Sequence, residues 1–173
     1  MSVLSGVASF FFTYNNAGKI KPSLRTAILV WVAPVLFVAA GLFWLGASYY
    51  WVVGAEKTTG TVSHVYEWDA ENVVEAGSKL YGPVFTYTWS DGLETDAALN
   101  MSSPEYNFEI GSTHTILFDP SVKGNVRFPG FQFNYFGAVI ILAIGLMFSL
   151  ISIVLWVWLK SIARKWDEKE AIQ

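Results

Sequence analysis

The chain has 173 residues, 53% of them hydrophobic, 17% aromatic and only 14% charged, with a mean hydropathy of +0.40. That balance is unusual for a water-soluble domain and ordinary for a protein with membrane-spanning helices. The lack of cysteine excludes disulfides, thiolate metal sites and thiol nucleophiles, and the net charge of −3, with no basic cluster on the central region, excludes the electrostatic footprint of a nucleic-acid binder.

Residues 1–25 form a basic leading segment carrying Lys19, Lys21 and Arg25 and no acid. Its start lacks the basic n-region and small-residue cleavage site of a signal peptide, so a retained N-terminus is expected. Val3, Leu4, Val7, Phe10, Phe11 and Tyr14 fall at helical spacing opposite Ser2, Ser5 and Ser9. This pattern reads either as an interfacial amphipathic helix or as a loosely attached apolar tail. Asn15-Asn16-Ala17-Gly18 breaks it.

No charged residue lies between Arg25 and Glu56, and a first transmembrane helix is predicted over 26–53. A span needs about 20 apolar residues, so this one is long enough to tilt or to carry its last turn beyond the lipid. Pro34 is placed to kink it. Trp44, Tyr49, Tyr50 and Trp51 gather toward its end, where a membrane-interface aromatic belt belongs.

Residues 54–134 read as a β-domain. It is acidic: from 56 to 127, eleven acids face only Lys57, Lys79, Lys123 and Arg127. Residues 59–66 and 83–89 alternate β-branched or aromatic with polar side chains, and Asp91-Gly92 is a hairpin turn leading to a returning strand over 93–101. Thr113 to Phe118 is another strand, stopped by Asp119-Pro120, and Asn125 to Phe128 adds a short last one. Residues 67–78 show no clean period and are assigned as a loop. Short strands with Gly and Asp turns predict a small antiparallel β-barrel or β-sandwich.

A second transmembrane helix is predicted over 135–159, entered through Phe131, Phe133 and Tyr135 and left through Trp156 and Trp158. Gly137, Gly145, Ser149 and Ser152 form a smooth stripe for close helix packing. It either packs on Ala40, Gly41, Ala47 and Ser48 of the first span or docks onto other integral membrane subunits. The tail, 160–173, continues helical with Ile162 and Trp166 on one side, as an interface-bound helix or a cytoplasmic contact. Its Lys160, Arg164, Lys165 and Lys169, with the bases ahead of the first span, predict both termini on the cytoplasmic side. Neither span holds an ionisable residue, which argues against a proton relay or ion path.

Gly60-Thr61-Val62 after the first span, the strand from Pro83 to Tyr87, Asp91-Gly92, and then Gly111 leading to Asp119-Pro120 before the second span stand in a characteristic order. This order resembles the bacterial membrane proteins grouped as domain of unknown function family 3592, over about residues 27–159. Phe118 stands where that pattern has Tyr, and the segment 67–80 is longer. The resemblance implies a two-span protein of the bacterial inner membrane with a periplasmic or extracellular β-domain, and it transfers no catalytic residue.

Catalytic signals are weak. Glu67, Asp69 and Glu71, and Asp91, Glu94 and Asp96, lack the ligand spacing of a Ca²⁺ loop. His64 and His114 lie on separate strands without a third ligand. Ser63, Ser102 and Ser103 lack a nucleophile-elbow context, and Asn100-Met101-Ser102 is a chance sequon. No enzyme activity, cofactor or metal is expected. The expected role is a non-enzymatic accessory or scaffolding subunit of a membrane complex, with the lipid bilayer and other membrane subunits as partners. The alternative is a membrane-tethered binding or sensing module for an envelope component or ligand.

Overall fold

The computed structural model describes Gly6, residues 8–69 and residues 79–170. In chain order its elements are α1 (Ala8–Phe11), β1 (Phe12–Tyr14), β2 (Ile20–Pro22), α2 (Leu24–Gly54), β3 (Glu56–Asp69), β4 (Lys79–Thr88), β5 (Glu94–Ala98), a 3₁₀ turn (Pro104–Tyr106), β6 (Thr113–Phe118), β7 (Val126–Arg127), α3 (Phe131–Asn134) and α4 (Phe136–Glu170). They form two compact units, residues 1–44 with 138–173, and residues 45–137. In the chain, two long apolar helices flank a curled antiparallel sheet.

Most of α2, which has 31 residues, and nearly all of α4, which has 35, lie in the first unit. At 1.5 Å per residue they run roughly 46 and 52 Å, beyond the ~30 Å of a hydrocarbon core. Both are long and apolar enough to cross a membrane. Ser23 caps α2, its Oγ accepting from the Thr26 N–H at 3.2 Å. Of the tail predicted over 160–173, the described residues, to Glu170, are an uninterrupted extension of α4.

The leading segment differs from expectation. Only Ala8–Phe11 is helical among the described residues of the expected amphipathic run, whose Val3, Leu4 and Val7 lie outside the described residues. Phe12 to Tyr14 instead pairs antiparallel with Ile20 to Pro22. The turn between them is held by Asn15, whose Oδ1 accepts from the Ala17 and Lys19 N–H groups at 2.9 Å, and by Gly18 at φ 75°. This hairpin is not a loose tail. Phe12 and Ile20 are buried with Ala163, flanked by Leu159, Ile162 and Trp166, and the Ile20 N–H donates to Asp167 Oδ1 at 2.6 Å. Packing against the distant end of the chain decides the conformation, and helical spacing within residues 3–14 carries no trace of it.

The second unit holds one five-stranded sheet, ordered β5-β4-β3-β6-β7 and antiparallel throughout. A sandwich would need a second sheet within this unit to pack on the first, and a closed barrel would need β5 bonded to β7. Among the described residues neither exists, so the barrel or sandwich expectation reduces to an open, curled sheet. The central strand β3 pairs with β6 along its first half and with β4 along its second, shifting register between Val62 and His64. Such a bulge adds local twist. Gly60 lies at the crossing. A Cβ there would come within 2.8 Å of Ile116 Cδ1 and 3.1 Å of Phe85 Cβ, so glycine lets the core close. That core is built on Val62, Phe85, Tyr87, Ile116, Phe118 and Val126.

Residues 67–69, expected in a loop, belong to β3 and pair with Tyr81, Leu80 and Lys79. Glu67, Trp68 and Asp69 are all exposed, so no alternation marks them as a strand. Lys79 forms an ion pair with Glu67, and the Trp68 ring covers Gly82, where a Cβ would meet it at 2.8 Å. Residues 70–78, with Glu71, lie outside the described residues. The return strand expected over 93–101 is shorter, ending at Ala98. Pro83 explains this: its oxygen accepts from the Leu99 N–H at 3.0 Å, but proline has no N–H to return the bond.

Candidate functional site

A cavity of about 320 Å³ opens in the second unit. Five rings line it: Tyr106 from the 3₁₀ turn, Phe108 after it, His114 on β6, Phe128 after β7, and Phe133 on α3. The Glu105 carboxylate side chain and Thr115 complete most of the wall, and no Lys or Arg lines it. Phe128 meets two of the other rings at steep angles. Phe108 and Phe128 are 6.0 Å apart at 88°, and Tyr106 and Phe128 are 5.5 Å apart at 62°. His114 lies along Phe108 at 4.1 Å and 33°, and its Nε2 bonds Ser112 Oγ at 3.1 Å.

Local hydrogen bonds fix these walls. Ser103 Oγ accepts from the Glu105 N–H at 3.3 Å at the start of the 3₁₀ turn. Ser103 also bridges to Tyr81 through both backbone groups. The Tyr106 hydroxyl donates to Met101 Sδ at 3.3 Å. Burial pushes that hydroxyl's pKa up, and the Glu105 charge pushes it further. Buried Asn134 donates through Nδ2 to the Phe128 and Gly130 oxygens at 3.0 and 2.9 Å, pinning the segment between Phe128 and Phe133.

A second cleft of the same unit, about 600 Å³, is lined by Ala47, Tyr50, Trp51 and Gly54 at the end of α2 and by Asp119, Pro120 and Ser121. Beside it the Arg127 guanidinium stacks 4.0 Å above the Trp51 ring. Burial draws the Arg127 pKa down, partly countered by the Asp119 charge, and an arginine stays charged regardless. Asp119 is held below the usual carboxylate range by hydrogen bonds from the Ser121 hydroxyl at 2.5 Å and the Ser121 N–H at 2.8 Å. The carboxylate thus organises its own turn, and the Asp119 backbone oxygen accepts from Trp89 Nε1 at 3.2 Å.

In the first unit the small residues meet the opposite helix. A Cβ on Gly41 would lie 2.8 Å from the Leu142 backbone, and one on Gly145 would lie 2.7 Å from Val38 N. Ser152 Oγ donates to the Val30 oxygen at 2.6 Å. Ser149 bonds within its own helix, to the Gly145 oxygen at 2.8 Å. Gly137 is half-buried at the start of α4. An apolar groove of about 390 Å³ runs past Leu36, Phe37, Ala40, Trp44 and Ile141.

Of the aromatic residues placed at membrane interfaces by sequence, Trp44, Tyr49, Tyr50 and Trp158 are exposed. Trp51 stacks under Arg127, Trp156 lies beneath Lys160 at 5.7 Å, and Trp166 packs on Phe12 at 4.9 Å. The residues carrying the family resemblance sit at sheet crossings and turns. Thr61 and Val62 follow Gly60 on β3. The Gly111 N–H donates to the Val62 oxygen at 2.8 Å, and Gly92, at φ 80°, closes the β4–β5 turn.

The two histidines do not converge. His114 stands opposite Gly60 on β3, four positions from His64, a spacing of about 13 Å along a strand. His64 packs on Tyr66 instead. Among the described residues no three His, Asp or Glu side chains gather as a metal site. The acids at 91 and 96 bind neighbours: Asp91 accepts from Lys123 at 3.1 Å, and Asp96 accepts from Thr86. Sequence reasoning missed the aromatic cavity and the Trp51–Arg127 stack. The density of Phe and Tyr between 106 and 133 was the only local signal for the first. No protein-family model, curated protein or solved structure matches the chain.

Proposed function

We propose that this chain is a two-span integral protein of a bacterial inner membrane, with cytoplasmic termini, that tethers a ligand-binding β-domain on the outer side. The observation that carries the reading is how the helices use their faces. Gly41, Gly145 and Ser152 are used within their own pair, while large apolar side chains such as Phe43, at 79% exposed, and Val154, at 68%, point away from it. Such surfaces are stable in lipid and costly in water. The basic termini support the orientation, and the motif order resembling domain of unknown function family 3592 supports a bacterial envelope. The aromatic cavity favours the binding role, because concave, mostly apolar sites with a few polar groups are the usual form of a small-ligand site.

The accessory-subunit reading keeps one specific support, the apolar groove beside Trp44, which suits a partner helix as well as an acyl chain. Crosslinking in intact membranes separates the two. A stoichiometric adduct with another membrane protein selects the accessory role, and migration as the free chain selects the tethered module. The membrane reading itself is tested by an alkaline carbonate wash: the protein should stay with the pellet, and release into the supernatant would overturn it.

A further inference from the structure

We propose that the aromatic cavity binds a small free organic cation bearing an alkylated ammonium group. The inference deepens the binding-module reading and rests on it. Aromatic faces carry partial negative charge and attract cations, and rings set at steep angles around one space are the geometry that recognises quaternary ammonium. Phe108 and Phe128 form two nearly perpendicular walls, Tyr106 and Phe133 flank Phe128 at 5.5 and 5.4 Å, and the Glu105 side chain supplies a formal negative charge at the rim.

Two further observations select a cation, and a third favours binding of any ligand that fits. First, the field of the surrounding region is acidic, eleven acids to four bases over residues 56–127. Three of those bases are already engaged, Lys79 with Glu67, Lys123 with Asp91 and Arg127 with Trp51. Second, the wall offers little to an anion or a hydrogen-bonding neutral ligand. The His114 Nε2 bonds Ser112 and the Tyr106 hydroxyl bonds Met101, which leaves the Thr115 hydroxyl and the His114 Nδ1 as the side-chain groups open to such a ligand. Third, the walls are pinned by Asn134 and by the Tyr106–Met101 contact before any ligand arrives, which lowers the ordering cost of binding. A zwitterionic lipid headgroup shares the ammonium, but its phosphate would face Glu105 and an acidic surface, so the free cation is favoured.

The test uses the full chain in maltoside micelles, which contain no ammonium group, and reads saturation transfer to the N-methyl protons of choline. Choline should bind saturably. Its neutral isostere 3,3-dimethylbutan-1-ol should bind at least about tenfold more weakly, because it lacks the charge the rings attract. Glu105→Gln should weaken choline several-fold, and Glu109→Gln, at an exposed carboxylate outside the cavity wall, should leave it unchanged; circular dichroism on both variants confirms the fold. Equal binding of choline and the isostere overturns the cation inference while leaving a ligand-binding domain standing. Phosphocholine binding more tightly than choline overturns the choice of a free cation. Absence of saturable choline transfer overturns the inference outright, whatever the carbonate wash shows about the membrane.

Discussion

Replacing Gly145 with alanine isolates the contact that joins the two long helices. The added methyl would sit 2.7 Å from Val38 N, 2.9 Å from Val38 Cγ2 and 3.0 Å from the Phe37 carbonyl carbon. Two of these three are backbone atoms, so no rotamer change relieves the clash. The helices must part by several tenths of an ångström to recover an ordinary separation of about 3.5–4.0 Å. Overpacking of this kind costs about 1–3 kcal/mol, offset by up to about 1 kcal/mol of helix propensity gained on replacing glycine. The net expectation is a loss of about 1–2 kcal/mol. Gly41→Ala, which meets the Leu142 backbone at 2.8 Å, should behave likewise. Combining the two should cost less than the sum, because one displacement relieves both. Gly46→Ala is the internal control: it lies on the same helix as Gly41, and its Cβ would meet nothing within 4 Å. Reversible unfolding in mixed maltoside–dodecyl sulfate micelles measures all four proteins. If Gly145→Ala and Gly46→Ala unfold alike, the close seam is not where the structure puts it.

Three other expectations follow from the same geometry. Hydrogen bonds from Ser121 depress the Asp119 pKa, so the stability this carboxylate contributes is complete above its unfolded value of about 3.9 and is lost as pH falls through the lower native value. Asp119→Asn should flatten the acid limb of thermal stability below about pH 4; an unaltered limb refutes the assignment. Asp167→Ala removes the acceptor for the Ile20 N–H and should speed tryptic cleavage after Lys19 while cleavage at Lys57 and Lys123 stays constant; equal protection at the hairpin would mean that Phe12 and Trp166 hold it alone. Asn134→Ala leaves the Phe128 and Gly130 oxygens without their donor, and should destabilise the second unit by about 1–3 kcal/mol and weaken choline binding, both readable in the same titration.

What the sequence made legible was local. Thr113 to Phe118 is a short run of β-branched and apolar residues stopped by Asp119-Pro120, and β6 has those limits. Asp91-Gly92 carries its own turn chemistry, with the Leu93 N–H donating to Asp91 Oδ1 at 2.9 Å. Hydrocarbon-length apolar runs announce α2 and α4 without help from tertiary structure. The remainder depended on distant partners. Phe12 joins a hairpin because Trp166 and Asp167 receive it from the other end of the chain. The far half of β3 exposes both faces, so the period-2 signal on which strand assignment rests is missing. The cavity draws its rings from four separate segments, and no spacing rule brings Tyr106, His114 and Phe133 together. Arg127 looked like one more surface base until Trp51 came to lie beneath it.

The central claim is that both helices cross lipid with the sheet-bearing unit on the outer side. The natural chain has no cysteine, so single substitutions report cleanly. Leu93→Cys, at an exposed turn residue, should react with a membrane-impermeant maleimide in intact cells, while Asn16→Cys should react only after the membrane is opened. Labelling of Asn16→Cys in intact cells, with Leu93→Cys protected, would contradict the orientation, and labelling of neither or both before permeabilisation would contradict the two-span arrangement itself.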